Sequence, residues 1–319
     1  MWIFATAFAV RIALIGLHPI VFGGDTILRL ANRDRILLAY QLPALQFSIW
    51  SISRLAEDPL WIRVWMAAIG AAAAAGFHRL ARQFVEPRVA GAAALAFATN
   101  PFLIELSIVP YQEVLMLGAL LWAFALFFEE RPVAAAVALA LACLTRYEAW
   151  IACPVLAAAY IARRGWRPQA ALFALAPAVW IALHGGLSPS GTFVVETAVS
   201  PARFVRWVYL GWIAVKNTPP PVLALGAAGL WTLRRETADP RLRAVAAFAI
   251  LFLVAVLFSA HGEAPDPERR VTAREATLLI GGVSLLAAFG LRLVPPRRVA
   301  AAAVACAAWG VADAHRFLT

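Results

Sequence analysis

Charge is scarce in this sequence. Only 14% of its 319 residues are Asp, Glu, Lys or Arg and 63% are hydrophobic, against about 25% charged and about 45–50% apolar in soluble domains. With a mean hydropathy of +0.77, a water-soluble enzyme is excluded. Cysteine is almost as rare: Cys143, Cys153 and Cys306 all fall inside apolar stretches, without Cys-x-x-Cys or Cys/His ligand spacing. Neither a disulfide framework nor a zinc site is indicated, and the three read as packing residues. Lysine is nearly missing, because Lys216 stands alone among 28 basic residues, a compositional hint of a GC-rich bacterial genome. Acids are outnumbered, 18 against those 28, for a net charge of +10. In a soluble chain that excess would suggest nucleic acid; here the arginines punctuate the ends of apolar segments, so the charge reads as membrane topology and no nucleic-acid partner is expected.

What the sequence has in abundance is long apolar runs. They lie approximately at 2–21, 60–77, 89–104, 111–128, 132–147, 149–162, 168–184, 218–233, 243–260, 274–291 and 299–312. At about 20 residues per membrane crossing they consume about 220 positions, leaving loops. The expectation is therefore all-α: one integral membrane domain over 1–319, a polytopic helical bundle of about eleven spans with no soluble domain. The first run lacks a basic n-region and an A-x-A cleavage site, so it reads as a retained span.

Arginine then orients the bundle, since short cytoplasmic loops accumulate basic residues. With the N-terminus inside, the even-numbered connections carry Arg79, Arg82 and Arg88; Arg131; Arg163, Arg164 and Arg167; Arg234, Arg235, Arg241 and Arg243; and Arg292, Arg297 and Arg298. The outer side keeps its basic residues mainly in three long connections, 22–59, 185–217 and 261–273, where the rule loses force. Trp2, Trp50, Trp61, Trp150, Trp166, Trp212 and Trp309 fall near span ends, as indoles anchored at headgroup level do. Runs such as Ala71–Ala75 and Ala134–Ala136 supply small faces for close helix approach. No internal repeat stands out.

In this topology most carboxylates away from cytoplasmic arginines lie on the outer side. Asp25 follows Gly23-Gly24 just after the first run; two glycines permit backbone geometry that could press an acid into a cleft, and the alternative is a helix N-cap. Glu113, in Pro110-Tyr111-Gln112-Glu113, opens an apolar run where a helix N-terminus favours negative charge, and Glu105 lies just before it. A carboxylate so near hydrocarbon is costly unless it faces a cavity or partner. In Leu144-Thr145-Arg146-Tyr147-Glu148-Ala149-Trp150 a tight turn holds Arg146 and Glu148, either as an ion pair capping a helical hairpin or with the guanidinium gripping a phosphate. The late outer connection carries His261, Glu263, Asp266 and Glu268, then Arg269, Arg270 and Arg274. Its spacing fits no tight metal motif, so a divalent ion is only weakly supported, and its arginines suit lipid phosphate.

Arg11 in the first span, Asp25 fourteen positions on, the Pro-Tyr-Gln-Glu opening of a helix at 110–113 and the 144–150 turn resemble the GT-C class of membrane glycosyltransferases. The likeness covers mainly residues 1–165, the remainder contributing further spans and the outer loops. It implies sugar transfer, mannosyltransferase-like, from a polyprenyl-phosphate donor on the extracytoplasmic face, in a bacterial cytoplasmic membrane. Many relatives pair two acids in the first outer loop, whereas Asp25 is followed by Thr26 and Ile27, so a metal-bridging role is not expected. Many also append a soluble C-terminal domain; without one, the acceptor is expected to be a lipid, or a glycan presented by a membrane partner protein. In this reading Asp25 is the general base, and Tyr111, Glu113, Arg146, Glu148, His261, Arg269, Arg270 and Arg274 bind substrate. The competing class is a transporter or lipid flippase, which would want charged groups or broken helices near the midplane.

Overall fold

The computed structural model describes residues 1–18, 24–37, 42–183, 194–195, 202–234, 239–260 and 276–318. Fifteen α-helices occur among them: α1 (Trp2–Leu17), α2 (Gly24–Ala31), α3 (Pro43–Leu55), α4 (Pro59–Ala81), α5 (Pro87–Ala98), α6 (Pro101–Ile108), α7 (Gln112–Phe128), α8 (Pro132–Cys143), α9 (Ala152–Arg164), α10 (Leu175–Leu183), α11 (Ala202–Lys216), α12 (Pro220–Leu233), α13 (Pro240–Phe258), α14 (Ala276–Leu291) and α15 (Pro296–Leu318). Short 3-10 turns, Tyr147–Ile151 and Pro168–Ala174, lead into α9 and α10, and a two-residue antiparallel bridge joins Val194–Val195 to Ser259–Ala260.

Proline punctuates the chain. Eight of these helices begin on one, the position where a missing N–H costs nothing and a fixed φ suits the first turn. Asp58 caps α4, its carboxylate accepting from Leu60 N at 2.8 Å, and Asn100 caps α6, accepting from Leu103 N at 3.1 Å. The apolar run expected as one span over 89–104 is instead broken: α5 stops before Thr99-Asn100-Pro101 and α6 departs at 61°. Pro101 cannot continue α5, since it lacks an N–H and its ring would meet the carbonyl of Phe97.

A break inside an apolar bundle frees backbone carbonyls that must find donors. Two fully buried arginines supply them. Arg11 Nη1 donates to Ala98 O at the end of α5 and to Ala7 O, both at 3.0 Å, while Nε donates to Ser107 Oγ at 2.6 Å. Gly70 makes room for this, because a Cβ there would lie 2.6 Å from Arg11 Nε. Arg63 Nε donates to Ile108 O, the last carbonyl of α6, at 3.0 Å, and its Nη2 to His18 O, just past α1, at 2.8 Å.

Around this break the core is built on α7. Its side chains from Glu113 to Phe128 are buried on nearly every face, the pattern of a helix enclosed by neighbours. The alanine run of α4 does what its composition implies, for Ala71, Ala73 and Ala74 are all buried. A Cβ at Gly118 of α7 would sit 3.0 Å from that of Ala73. Between α12 and α14 the backbones nearly touch; a Cβ on Gly229 would fall 1.8 Å from Leu286 O, and one on Gly290 1.9 Å from Leu225 O.

Helix lengths differ from the expected spans. Of the described helices, α4 by itself is long and apolar enough to cross a bilayer, and the bent α5–α6 pair is a second if it counts as one span. The other apolar helices, 10–17 residues each, reach about 15–26 Å at about 1.5 Å per residue, short of the roughly 30 Å hydrocarbon core. The expected connection 22–59 holds two helices, α2 and α3, and α11 lies within the expected connection 185–217. The reason is local: Pro43 starts α3, and Leu45, Gln46 and Ile49 give it an inward face, an amphipathic pattern that a search for long apolar runs passes over.

Candidate functional site

Five polar side chains from three stretches of sequence meet at one end of the bundle. The turn after α8 carries Arg146, which is 8% exposed, and Glu148, 18% exposed; the first turn of α7 carries Glu113, which is fully buried. Arg146 Nη1 pairs with Glu113 Oε1, while Nη2 reaches Glu148 Oε1 at 2.5 Å and Nε lies 3.0 Å from Glu148 Oε2. Beside Glu113, Gln112 accepts a 2.7 Å hydrogen bond through Oε1 from Nη2 of Arg29, a buried residue of α2.

Each member is held by ordinary backbone logic. Glu113 stands where the first turn of α7 attracts negative charge. The Arg146 turn is braced from several directions: Thr145 Oγ1 donates to Leu141 O at 2.7 Å, Trp150 Nε1 to Cys143 O at 2.9 Å, and Ala44 N of α3 to Leu144 O at 2.9 Å. Trp150, expected from the sequence as an anchor at a span end, is thus a brace of this turn. Gln46 of α3, fully buried, ties down the chain around the end of α2, its Nε2 donating to Asn32 O at 2.8 Å and Arg35 O at 3.1 Å.

Of the residues singled out in the sequence, Glu113, Arg146 and Glu148 are therefore brought together, and Tyr111 adjoins them as the half-buried residue just before α7. Glu105 lies apart on α6. Asp25 belongs to α2, four residues before Arg29, but its side chain falls outside the described residues. His261, Arg269, Arg270 and Arg274 lie outside them altogether. Arg29 and Gln46 were missed by the sequence reading. An arginine set among apolar residues, Ile27-Leu28-Arg29-Leu30, was the available signal, but its burial depends on packing against α3 and α7. Among the described residues no group of three or more His, Cys, Asp or Glu side chains is placed to hold a metal ion.

An apolar cavity of about 680 Å³ lies between α7, α11, α12, α13 and α14. Leu117 and Leu121 line it, and in an α-helix they continue the stripe begun by Glu113 at intervals of four. Phe124, Phe248, Phe252 and Phe289 contribute further walls, with Arg243 the charged residue in the lining. Glu113 thus stands one helical turn, about 6 Å of axial rise, before Leu117, a residue of the cavity wall.

No known family profile matches the chain, and no curated protein matches it by sequence. Solved structures do match in shape. The apo oligosaccharyltransferase of Archaeoglobus fulgidus aligns with a TM-score of 0.63 at 13% identity over 98% of this chain and 55% of its own. Apo ArnT from Cupriavidus metallidurans aligns with a TM-score of 0.58 at 16% identity over 87% of this chain and 55% of its own. The same archaeal enzyme tethered to an acceptor peptide gives 0.52 at 13% identity over 88% of this chain and 47% of its own. The chain spans about half the length of each of these proteins. Its all-α fold resembles the transmembrane domains of GT-C glycosyltransferases.

Proposed function

We propose that this protein is a membrane glycosyltransferase that moves a sugar from a polyprenyl-phosphate donor to a lipid or glycan acceptor on the extracytoplasmic face of a bacterial cytoplasmic membrane. The observation that carries the reading is that Glu113, paired with Arg146 of the neighbouring turn, stands on the stripe of α7 whose next members, Leu117 and Leu121, line the apolar cavity. A lipid-linked donor needs that combination, with an isoprenoid tail in a hydrocarbon groove and a charged head at its mouth. The fold shared with an oligosaccharyltransferase supports the same class.

In this proposal transfer is inverting. Asp25 takes the proton from the acceptor hydroxyl as its oxygen attacks the anomeric carbon, opposite the departing phosphate, by analogy with the base of inverting glycosidases. Phosphate is a good leaving group, so cationic groups can stabilise its developing charge without a general acid. Arg269, Arg270, Arg274 and His261 of the late outer connection, with Arg146, are assigned that headgroup role. Glu113 and Glu148 orient Arg146, and with Tyr111 they order sugar hydroxyls. An acceptor-presenting membrane partner remains part of the proposal.

The test is Asp25→Asn in purified protein, with transfer from a polyprenyl-phosphate sugar measured directly. Turnover is expected to fall about 10²–10⁴-fold, the usual worth of general base catalysis; unchanged turnover removes the base. A second reading, a transporter or lipid flippase, is favoured by the broken α5–α6 helix with buried Arg11 against the break, since discontinuous helices mark transport sites. Lipid movement in vesicles without any sugar transfer would select it.

A further inference from the structure

Two of the three cysteines meet. Cys143 is the last residue of α8 and Cys153 lies in the first turn of α9, ten positions on, yet their Sγ atoms are 3.5 Å apart and both residues are buried. The segment between them is the turn that carries Arg146 and Glu148. Its base is closed by the Trp150 indole donating to Cys143 O at 2.9 Å and by Arg146 N donating to Ala142 O at 3.1 Å. The thiols therefore face one another across the foot of the turn, as a hasp faces its staple.

Packing alone does not call for sulfur here. Alanine fills the close contacts of this bundle throughout, and Ala142, Ala149 and Ala152 around the pair are all fully buried. A disulfide needs its sulfurs about 2.05 Å apart, so closure asks for an approach of roughly 1.5 Å between side chains that already point at each other. In the orientation proposed above, on which this clause rests, the turn faces the extracytoplasmic side, where dithiols are oxidised and stay so.

We infer that Cys143 and Cys153 form a redox modification site, a dithiol that closes to a disulfide and staples the turn holding Arg146 and Glu148. The oxidant is a disulfide, either of a thiol-oxidising protein or of a small molecule. The thiolate of Cys153, the less buried of the two, attacks one oxidant sulfur; a mixed disulfide forms, the oxidant's S–S bond breaks, and one thiolate leaves. The thiolate of Cys143 then attacks Cys153 Sγ, forming the internal bond and expelling the second thiolate. The protein loses two protons and two electrons, and the oxidant is reduced to two thiols. The product closes a short loop around the turn, a constraint that removes freedom from the open chain.

Counting thiols decides the matter. Full-length protein, purified in detergent and reduced, is exposed while native to dipyridyl disulfide. It is then denatured, and free thiols are blocked with a maleimide. After reduction, a polyethylene-glycol maleimide labels whatever had been paired. Two labels on a monomer are expected, mapped by mass spectrometry to Cys143 and Cys153, with Cys306 blocked at the outset. The Cys306→Ser protein should give the same two, and the Cys143→Ser/Cys153→Ser protein none. Three thiols blocked at the outset, a pair that includes Cys306, or single cysteines capped by pyridyl groups would each overturn the inference. Because the count involves no sugar, loss of the transferase reading leaves it standing, and its own failure leaves the Asp25 test untouched.

Discussion

Replacing Arg146 by Met puts the central ion pair to a quantitative test. The guanidinium is 8% exposed and faces the carboxylate of Glu113, which has no solvent exposure, as well as that of Glu148. Removing one partner of a buried pair leaves the other charge desolvated without its cation, a loss of about 3–5 kcal/mol. Arg146→Met/Glu113→Gln takes away the attraction together with the fully buried stranded charge and leaves only the partly exposed Glu148 without its cation, so the double variant should regain most of that loss. The coupling should then be about 2–3 kcal/mol, the upper end for residues in contact. Lysine in place of Arg146 should not restore stability, because a single ammonium cannot span Glu113 and two oxygens of Glu148 at once. The assay is unfolding of the four proteins in one detergent, by denaturant or SDS titration. Single and double variants of equal stability, or an Arg146→Met protein within about 0.5 kcal/mol of the parent, the ordinary range for surface substitutions, would refute the buried pair.

Other outcomes follow from contacts elsewhere. Gly229→Ala places a methyl 1.8 Å from Leu286 O, whereas the same change at Gly16 meets nothing within 4 Å. The first should cost about 1–3 kcal/mol as α12 and α14 are pushed apart, and the second should leave the unfolding midpoint almost unchanged; the reverse order would contradict the close contact. On the arginine-rich side, the hydrogen bonds from Arg79 hold the Glu129 carboxyl below its usual range. A lowered folded-state pKa gives stability that is present above the unfolded value of about 4.3 and lost as pH falls through the folded one. Glu129→Gln should therefore lower the unfolding temperature near neutral pH and flatten its acid-side decline. Both groups are partly exposed, so the effect should be small and shrink in high salt. A variant with an acid limb as steep as the parent's would assign that limb to other groups.

Legibility in the sequence was uneven. The helical composition, the apolar core segments and the close alanine contacts could all be read directly, because composition and neighbouring residues decide them. The break at Thr99-Asn100-Pro101 was also written there, as a cap followed by a proline, but a hydropathy run reads through both. Helices α2 and α3 hid for the related reason that an amphipathic helix carries too little total hydropathy to register as a span.

The site divides along the same line. Glu113, Arg146 and Glu148 were legible as candidates because a charge bordering an apolar run is costly wherever it sits. What only the tertiary structure decided was partnership. Glu113 meets Arg146 across 33 positions and Gln112 meets Arg29 across 83, distances over which no periodicity carries information. The same holds for Arg11, whose acceptors include the carbonyl of Ala98, 87 positions away, freed by the helix break. Sequence sets which groups cannot bear to be alone in hydrocarbon; packing chooses the neighbour that satisfies each, because that choice rests on helices meeting in space.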